Sequence, residues 1–163
     1  MSGVTMSWSI PVNSDGSSGD NQIDAAQLWA GLLHKAENPV AYVPAITDCR
    51  VLDRFPGGFT REIRKDGRTV FQRVEVSPEE LCIVYRQPGD PELEFIMNQI
   101  DRGADGGLLM TMAVSLAPEA TERALEESRF IEATDAYFTD ALRSVVDEIR
   151  AGSGGLDTLI AAA

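Results

Sequence analysis

The sequence predicts an α+β protein: a seven-stranded antiparallel sheet, helix confined to a short stretch after the first strand, and a long helix at the C-terminal end. Three observations lead there. A capped helix at Asp24–Glu37 follows a single alternating segment. Six strand-like segments between Asp48 and Leu116 then succeed one another at hairpin spacing. Finally, Glu119–Arg150 carries apolar residues three and four apart.

Taken in order, Thr5–Val12 places Met6, Trp8, Ile10 and Val12 on one side and Thr5, Ser7 and Ser9 on the other, the period of a half-buried strand. Asn13–Asn21 consists of turn formers and predicts a polar loop. Asp24 with Gln27 three residues on forms a capping box, and Ile23 with Leu28 forms a hydrophobic staple. Leu28, Leu32, Leu33 and Ala36 recur at helical spacing, widened by Trp29. The helix ends near Glu37 because Asn38 precedes a proline. A second short helical segment, with Asn38 as its cap and Pro39 at its first position, stops at Pro44. Strands are predicted at Asp48–Phe55, Gly58–Arg64, Thr69–Val76, Leu81–Arg86, Leu93–Arg102 and Leu108–Leu116. Between them stand the turn formers Pro56-Gly57-Gly58, Asp66-Gly67, Ser77-Pro78, Pro88-Gly89 and Asp105-Gly106. In the last helix Ile131, Thr134, Phe138, Leu142, Val145 and Ile149 share a face, and Gly152-Ser153-Gly154-Gly155 ends it. We expect one domain over residues 1–151 and a flexible tail over 152–163.

Composition narrows the function. A net charge of −12 and an isoelectric point near 4.4 repel a phosphate backbone, so no nucleic-acid partner is expected. Basic residues do concentrate between Arg50 and Arg73, opposite in sign to the acidic Glu119–Arg150 stretch, which reads as two solvated faces or as a funnel for anions. Cys49 and Cys82 fit no metal spacing and lie in apolar strand contexts, which predicts buried, reduced thiols and a cytoplasmic protein. No apolar run reaches membrane-spanning length and Met1–Ser9 lacks the features of a signal peptide, so no membrane insertion is expected.

The segment NPVAYVPAITDC, from Asn38 to Cys49, and the later Arg61-Glu62-Ile63 carry a resemblance to the AtaL-like family. This family is a branch of the START/Bet v 1-like (SRPBCC, polyketide cyclase-like) helix-grip superfamily. The resemblance extends roughly from Asp24 to Arg150 and rests on Asn38, Pro39, Pro44, Cys49 and the Arg-Glu-Ile triplet. It implies a curved sheet gripping the long C-terminal helix over a ligand cavity. Superfamily members include polyketide cyclases, lipid carriers and hormone receptors, so the implied partner is a small hydrophobic metabolite, with a homodimer left open. The long Asn13–Asn21 loop and the glycine-rich tail depart from the family pattern.

Strand periodicity then identifies the inner face. With Asp66-Gly67 as a two-residue turn, Ile63 faces Val70, Arg61 faces Gln72 and Phe59 faces Val74. With Ser77–Glu80 as a four-residue turn, Val76 faces Leu81, Val74 faces Ile83 and Gln72 faces Tyr85. With Asp105-Gly106 as a two-residue turn, Gln99 faces Met112, Met97 faces Val114 and Phe95 faces Leu116. The ligand-lining set that follows is Phe59, Ile63, Gln72, Val74, Ile83, Phe95, Met97, Gln99, Met110 and Met112, with Thr134 and Phe138 from the helix. Asn98, Thr111 and Ser115 are placed outside. The cavity should measure roughly 300–1,000 Å³, the usual range for small-ligand pockets.

Arg61 and Tyr85 are the candidate catalytic residues. A fixed guanidinium and a phenol on one wall suit a carboxylate, an enolate or a polarised carbonyl. The alternative is an Arg61 that snorkels to the mouth, with Gln72 and Tyr85 satisfied by backbone or water. The thioethers of Met97, Met110 and Met112 suit either a filled core or an adaptable pocket. His34 is the sole histidine and sits off the apolar stripe, which excludes a multi-histidine metal site; neither metal nor cofactor is expected. Cys82, placed outward beside Glu75, makes a poor nucleophile, and Asp101 and Asp105 read as turn formers. Two functions remain open: a cofactor-free cyclase, isomerase or dehydratase acting on a carbonyl-bearing apolar metabolite, or a carrier of the same kind of molecule. A third reading, an assembly protein with a side-chain-filled interior, needs a solid core.

Overall fold

A computed structural model of the chain describes residues 4–13, 22–91, 93–118 and 139–151. Its elements are β1 (Thr5–Pro11), α1 (Ala25–Glu37), a single 3-10 turn at Pro39–Ala41, β2 (Ile46–Phe55), β3 (Gly58–Lys65), β4 (Arg68–Ser77), β5 (Cys82–Arg86), β6 (Leu93–Arg102) and β7 (Leu108–Leu116). A helical run follows at 139–151, α2. The sheet order is β1-β7-β6-β5-β4-β3-β2, antiparallel throughout. Strands β2 to β7 form a meander, and β1 returns to pair with the last of them. The first and second strands therefore lie at opposite edges, and α1 must cross the sheet to join them.

Local chemistry accounts for the elements. Burial alternates strictly along β1, with Trp8 and Ile10 inside. Asp24 accepts from the Gln27 amide while the Gln27 side chain accepts from the Asp24 amide, both at 2.8 Å, which completes the capping box. In place of two short helices, α1 runs for 13 residues and only one 3-10 turn follows it. Asn38 gives that turn no side-chain cap; its backbone N–H instead bonds the His34 carbonyl at 2.8 Å and closes α1.

The hairpins decide which side chains meet. Asp66 and Gly67 both adopt positive φ, 51° and 77°, as a tight two-residue turn requires. Register follows as expected: Ile63 opposes Val70, Arg61 opposes Gln72 and Phe59 opposes Val74. The next turn occupies Pro78–Leu81, with Leu81 at φ 52°, so Ser77 opposes Cys82, Val76 opposes Ile83 and Val74 opposes Tyr85. This shifts the expected pairing by two positions, an even number, and every side chain keeps its face. The last hairpin differs in kind. Gly103–Gly107 forms a five-residue loop, closed by the Gly103 amide on the Gly107 carbonyl at 2.8 Å, and Arg102 opposes Leu108. An odd-length loop moves the pairing by one and inverts β6. Ile96, Asn98 and Ile100 therefore face inward opposite Val114, Met112 and Met110. Phe95, Met97 and Gln99, expected inside, lie on the outer face; Phe95 stacks there with Arg86, 5.6 Å from its ring centroid.

The core lies between the inner face of the sheet and the two helices. Leu28, Leu32 and Ala36 of α1 and Leu142, Val145, Val146 and Ile149 of α2 are buried there with Trp8, Val74 and Ile83. The helices close on each other at Gly31, where an added Cβ would come within 2.6 Å of the Ile149 side chain. Gly31→Ala should therefore destabilise the protein by about 1–3 kcal/mol, the usual cost of overpacking, although alanine is the better helix former by roughly 0.5–1 kcal/mol. Urea denaturation checks this, and a more stable variant would refute the close α1–α2 contact.

Candidate functional site

A cavity of about 160 Å³ opens between the inner face, α1 and α2. It is smaller than the roughly 300–1,000 Å³ anticipated. Of the residues singled out from sequence, Arg61, Ile63, Gln72, Tyr85, Met110 and Met112 line it. Phe59, Val74 and Ile83 face the same way but are packed in the core, at 4%, 0% and 0% exposure. Thr134 and Phe138 lie outside the described residues, as do the loop residues 14–21 and the tail. Lys35, Val43, Ile46, Lys65, Ile96 and Asn98 complete the side formed by the sheet, α1 and the segment between α1 and β2, and Ala141, Leu142 and Val145 of α2 form the other.

Arg61 is 4% exposed, so it does not snorkel. Its Nε and Nη2 donate to Gln72 Oε1 at 2.9 and 2.7 Å, and its Nη1 donates to the Ala36 carbonyl of α1 at 2.7 Å. Three of its five N–H groups are thereby held, leaving two without a partner among the described residues. No carboxylate of a described residue pairs with it. Gln72 passes the interaction on: its Nε2 donates to Gln87 Oε1 at 3.2 Å, and Gln87 Nε2 donates to Asp90 Oδ2 at 3.0 Å.

Tyr85 lies beside this chain, its ring centroid 4.8 Å from the Arg61 guanidinium carbon. Its hydroxyl is the only buried side-chain polar atom among the described residues with no hydrogen-bond partner. Burial pushes its pKa up to about 12 against the lowering effect of Arg61, so at neutral pH it is a donor and not a base.

Lys35 is the residue that sequence reasoning passed over. Its Nζ donates to Asn98 Oδ1 at 2.8 Å and stands 5.2 Å from the Tyr85 ring centroid. Burial, and then the charge of Arg61, bring its pKa from 10.5 down to about 7. The signal was present, since Lys35 follows Leu28 by seven residues and Leu32 by three, within the apolar stripe. Asn98 was missed because an even-length last turn assigns it to the outer face.

The other candidates fall away from the cavity. His34 is exposed, with Nδ1 2.8 Å from Tyr42 Oη. Both cysteines are free, Cys82 buried and Cys49 only half-buried. Burial raises both thiols, with Glu80 and Asp101 adding to the effect at Cys82. Cys82 does face outward, but it opposes Ser77, not Glu75. Asp105 accepts from the Gly107 amide at 2.9 Å, a turn-forming contact. Among the described residues, no group of three or more His, Cys, Asp or Glu side chains gathers as a metal site would, and no helix is long and apolar enough to cross a membrane.

Residues 6–153 match the family described as AtaL, acetylaranotin biosynthesis cluster protein L. The chain belongs to that family. Similar solved structures place it in the Bet v 1-like helix-grip class. An uncharacterised protein from Bacillus thuringiensis shares 17% identity over 90% of this chain and 98% of its own, with a TM-score of 0.58. Ara h 8.0201 shares 11% over 90% and 98%, with a TM-score of 0.52. The di-domain ARO/CYC BexL from the BE-7585A biosynthetic pathway shares 13% over 91% of this chain and 49% of its own, with a TM-score of 0.55. No curated protein matches the chain.

Two measurements check the electrostatics. Lys35 binds its proton less tightly folded than unfolded, so between about pH 7 and the ordinary lysine value of 10.5 the unfolded chain holds the extra proton. Stability should rise with pH across that window. The elevated Tyr85 and cysteine values act in the opposite sense at its upper end. The Lys35 component is therefore read as the difference between the parent and Lys35→Met; parallel pH profiles would show that the amine is not buried. Tyr85→Phe removes an unsatisfied hydroxyl and should leave stability unchanged or raise it by up to about 1–3 kcal/mol. A loss of that size would mean the hydroxyl is bonded.

Proposed function

We propose that the cavity binds an apolar small molecule bearing a carboxylate or a polarisable carbonyl. On this reading the protein acts on it as a cyclase, isomerase or dehydratase of secondary metabolism that needs no cofactor and works in the cytoplasm. The observation that carries this reading is the charge imbalance of the lining. Arg61 and Lys35 enter a pocket whose other polar lining is Gln72, Asn98, Tyr85 and the rim residue Lys65, with no acidic partner among the described residues and beside a Tyr85 hydroxyl that bonds nothing there. Buried cations without an anion are expensive, and a ligand oxyanion relieves that cost.

The chemistry follows from the positions. The two N–H groups of Arg61 without a partner among the described residues, on a guanidinium held beforehand by Gln72 and the Ala36 carbonyl, and the hydroxyl of Tyr85 supply donors for a developing enolate or oxyanion. Ile63, Met110, Met112 and Leu142 provide the apolar walls that shape the substrate and keep water out. Family membership and the shared fold of the ARO/CYC protein BexL support a biosynthetic role. The free thiols support a reducing compartment. The competing reading is a carrier, for which the same donors serve only as an anchor.

The test uses apolar acids and β-keto compounds as ligands. Arg61→Leu should weaken binding by roughly 2–5 kcal/mol, on the order of thirtyfold to several thousandfold. Tyr85→Phe separates the two readings. A carrier loses about 0.5–1.5 kcal/mol of affinity, whereas an enzyme loses turnover by roughly a hundredfold or more. Parent-like binding and turnover in both variants would reduce this wall to scaffold.

A further inference from the structure

Of the fourteen basic residues in the chain, twelve are arginine and only two, Lys35 and Lys65, are lysine. Both lysines line the same cavity. Every ion pair among the described residues uses arginine for its cation. An arginine holds a charge but cannot give up its proton, whereas a desolvated amine becomes a nucleophile. The chain's only side-chain amines are thus gathered where a ligand would sit, and Lys65 stands at the exposed rim.

Lys35 has no anionic partner among the described residues. Asn98 on β6 accepts one of its protons, the Tyr85 ring of β5 lies beside it, and the cations facing it are Arg61 and Lys65 of β3. The described part of α2 offers only Ala141, Leu142 and Val145.

We infer that Lys35 is a nucleophilic amine, and that the ligand carries a ketone or aldehyde with a second carbonyl two carbons away. The amine condenses at one carbonyl while Arg61 and Tyr85 hold the other oxygen. This rests on the cavity being the ligand site proposed above. In the step itself, Nζ bonds to the carbonyl carbon, the oxygen takes both amine hydrogens and leaves as water, and a C=N bond remains. The carbon between the two carbonyls then passes a proton to Nζ, giving a vinylogous amide. Nothing is oxidised or reduced. With its pKa near 7, the free-amine fraction at neutral pH is roughly a thousandfold that of an ordinary lysine.

Pentane-2,4-dione is a small probe for this chemistry. Incubated with the full chain near pH 7, it should produce the near-ultraviolet absorption of a vinylogous amide and a mass gain of one dione less one water. Peptide mapping should place the adduct on Lys35. It should form on the order of a hundredfold faster than on free N-α-acetyl-lysine, since lower basicity offsets part of the gain in free amine. Lys35→Met should form no such adduct. Mapping on the unaltered chain keeps the test independent of how that variant folds. An adduct confined to Lys65 or the N-terminal amine overturns the inference. So does saturable, Arg61-dependent dione binding with no adduct, which leaves the ligand site standing. Absence of both binding and adduct removes the ligand site together with the amine.

Discussion

The guanidinium of Arg61 ties the helical layer to the sheet. The last carbonyls of any α-helix lack intrahelical partners and need donors from elsewhere. In α1 the His34 carbonyl takes the Asn38 amide, the Ala36 carbonyl takes Arg61 Nη1, and the Glu37 carbonyl takes the Cys49 thiol at 3.6 Å. Two strands thus cap one helix end, with a positive charge at the negative pole of the helix. That contact fixes where α1 crosses the inner face, and hence where Lys35 enters the cavity. The same guanidinium that orders the fold gives the pocket its sign and contributes to the unusual acidity of the Lys35 ammonium.

Structure and chemistry therefore draw on a single set of hydrogen bonds. Gln72 uses its one carbonyl oxygen for two Arg61 donors, and its amide reaches Gln87 and through it Asp90. The nearest acid in that chain is two amides away, close enough to orient the dipoles and too distant to neutralise the guanidinium. An acidic protein, −12 overall, in this way keeps a basic interior.

How much of this could be read from the residues depended on the kind of signal. The α1 cap and the Asp66-Gly67 hairpin were legible because their chemistry is local: a carboxylate and a carboxamide three residues apart that each accept from the other's backbone amide, and two residues that tolerate positive φ. The face of β5 was legible for a weaker reason. Its turn was misplaced by one position on each strand, and an even shift preserves parity, so Ile83 and Tyr85 stayed inside. The face of β6 was not legible, since Asp105-Gly106 satisfies a two-residue turn on paper while the chain forms a five-residue loop around the Asp105 carboxylate. Lys35 escaped because a helical stripe is sought by its apolar members, whereas a lysine extends an apolar stem along that stripe and carries its charge inward.

The Gly103–Gly107 loop lies at the far end of β6 from much of the cavity wall, yet its residue count sets the polarity of the pocket. Strand side chains alternate, so the parity of the loop selects between two complete interiors. One presents Ile96, Asn98 and Ile100; the other would present Phe95, Met97 and Gln99. Only the first gives Lys35 the Asn98 oxygen that receives it. A one-residue insertion or deletion in an exposed turn is among the mildest changes a chain can accept. In this architecture it would re-pattern an entire wall at once, without a single substitution among the residues that line it.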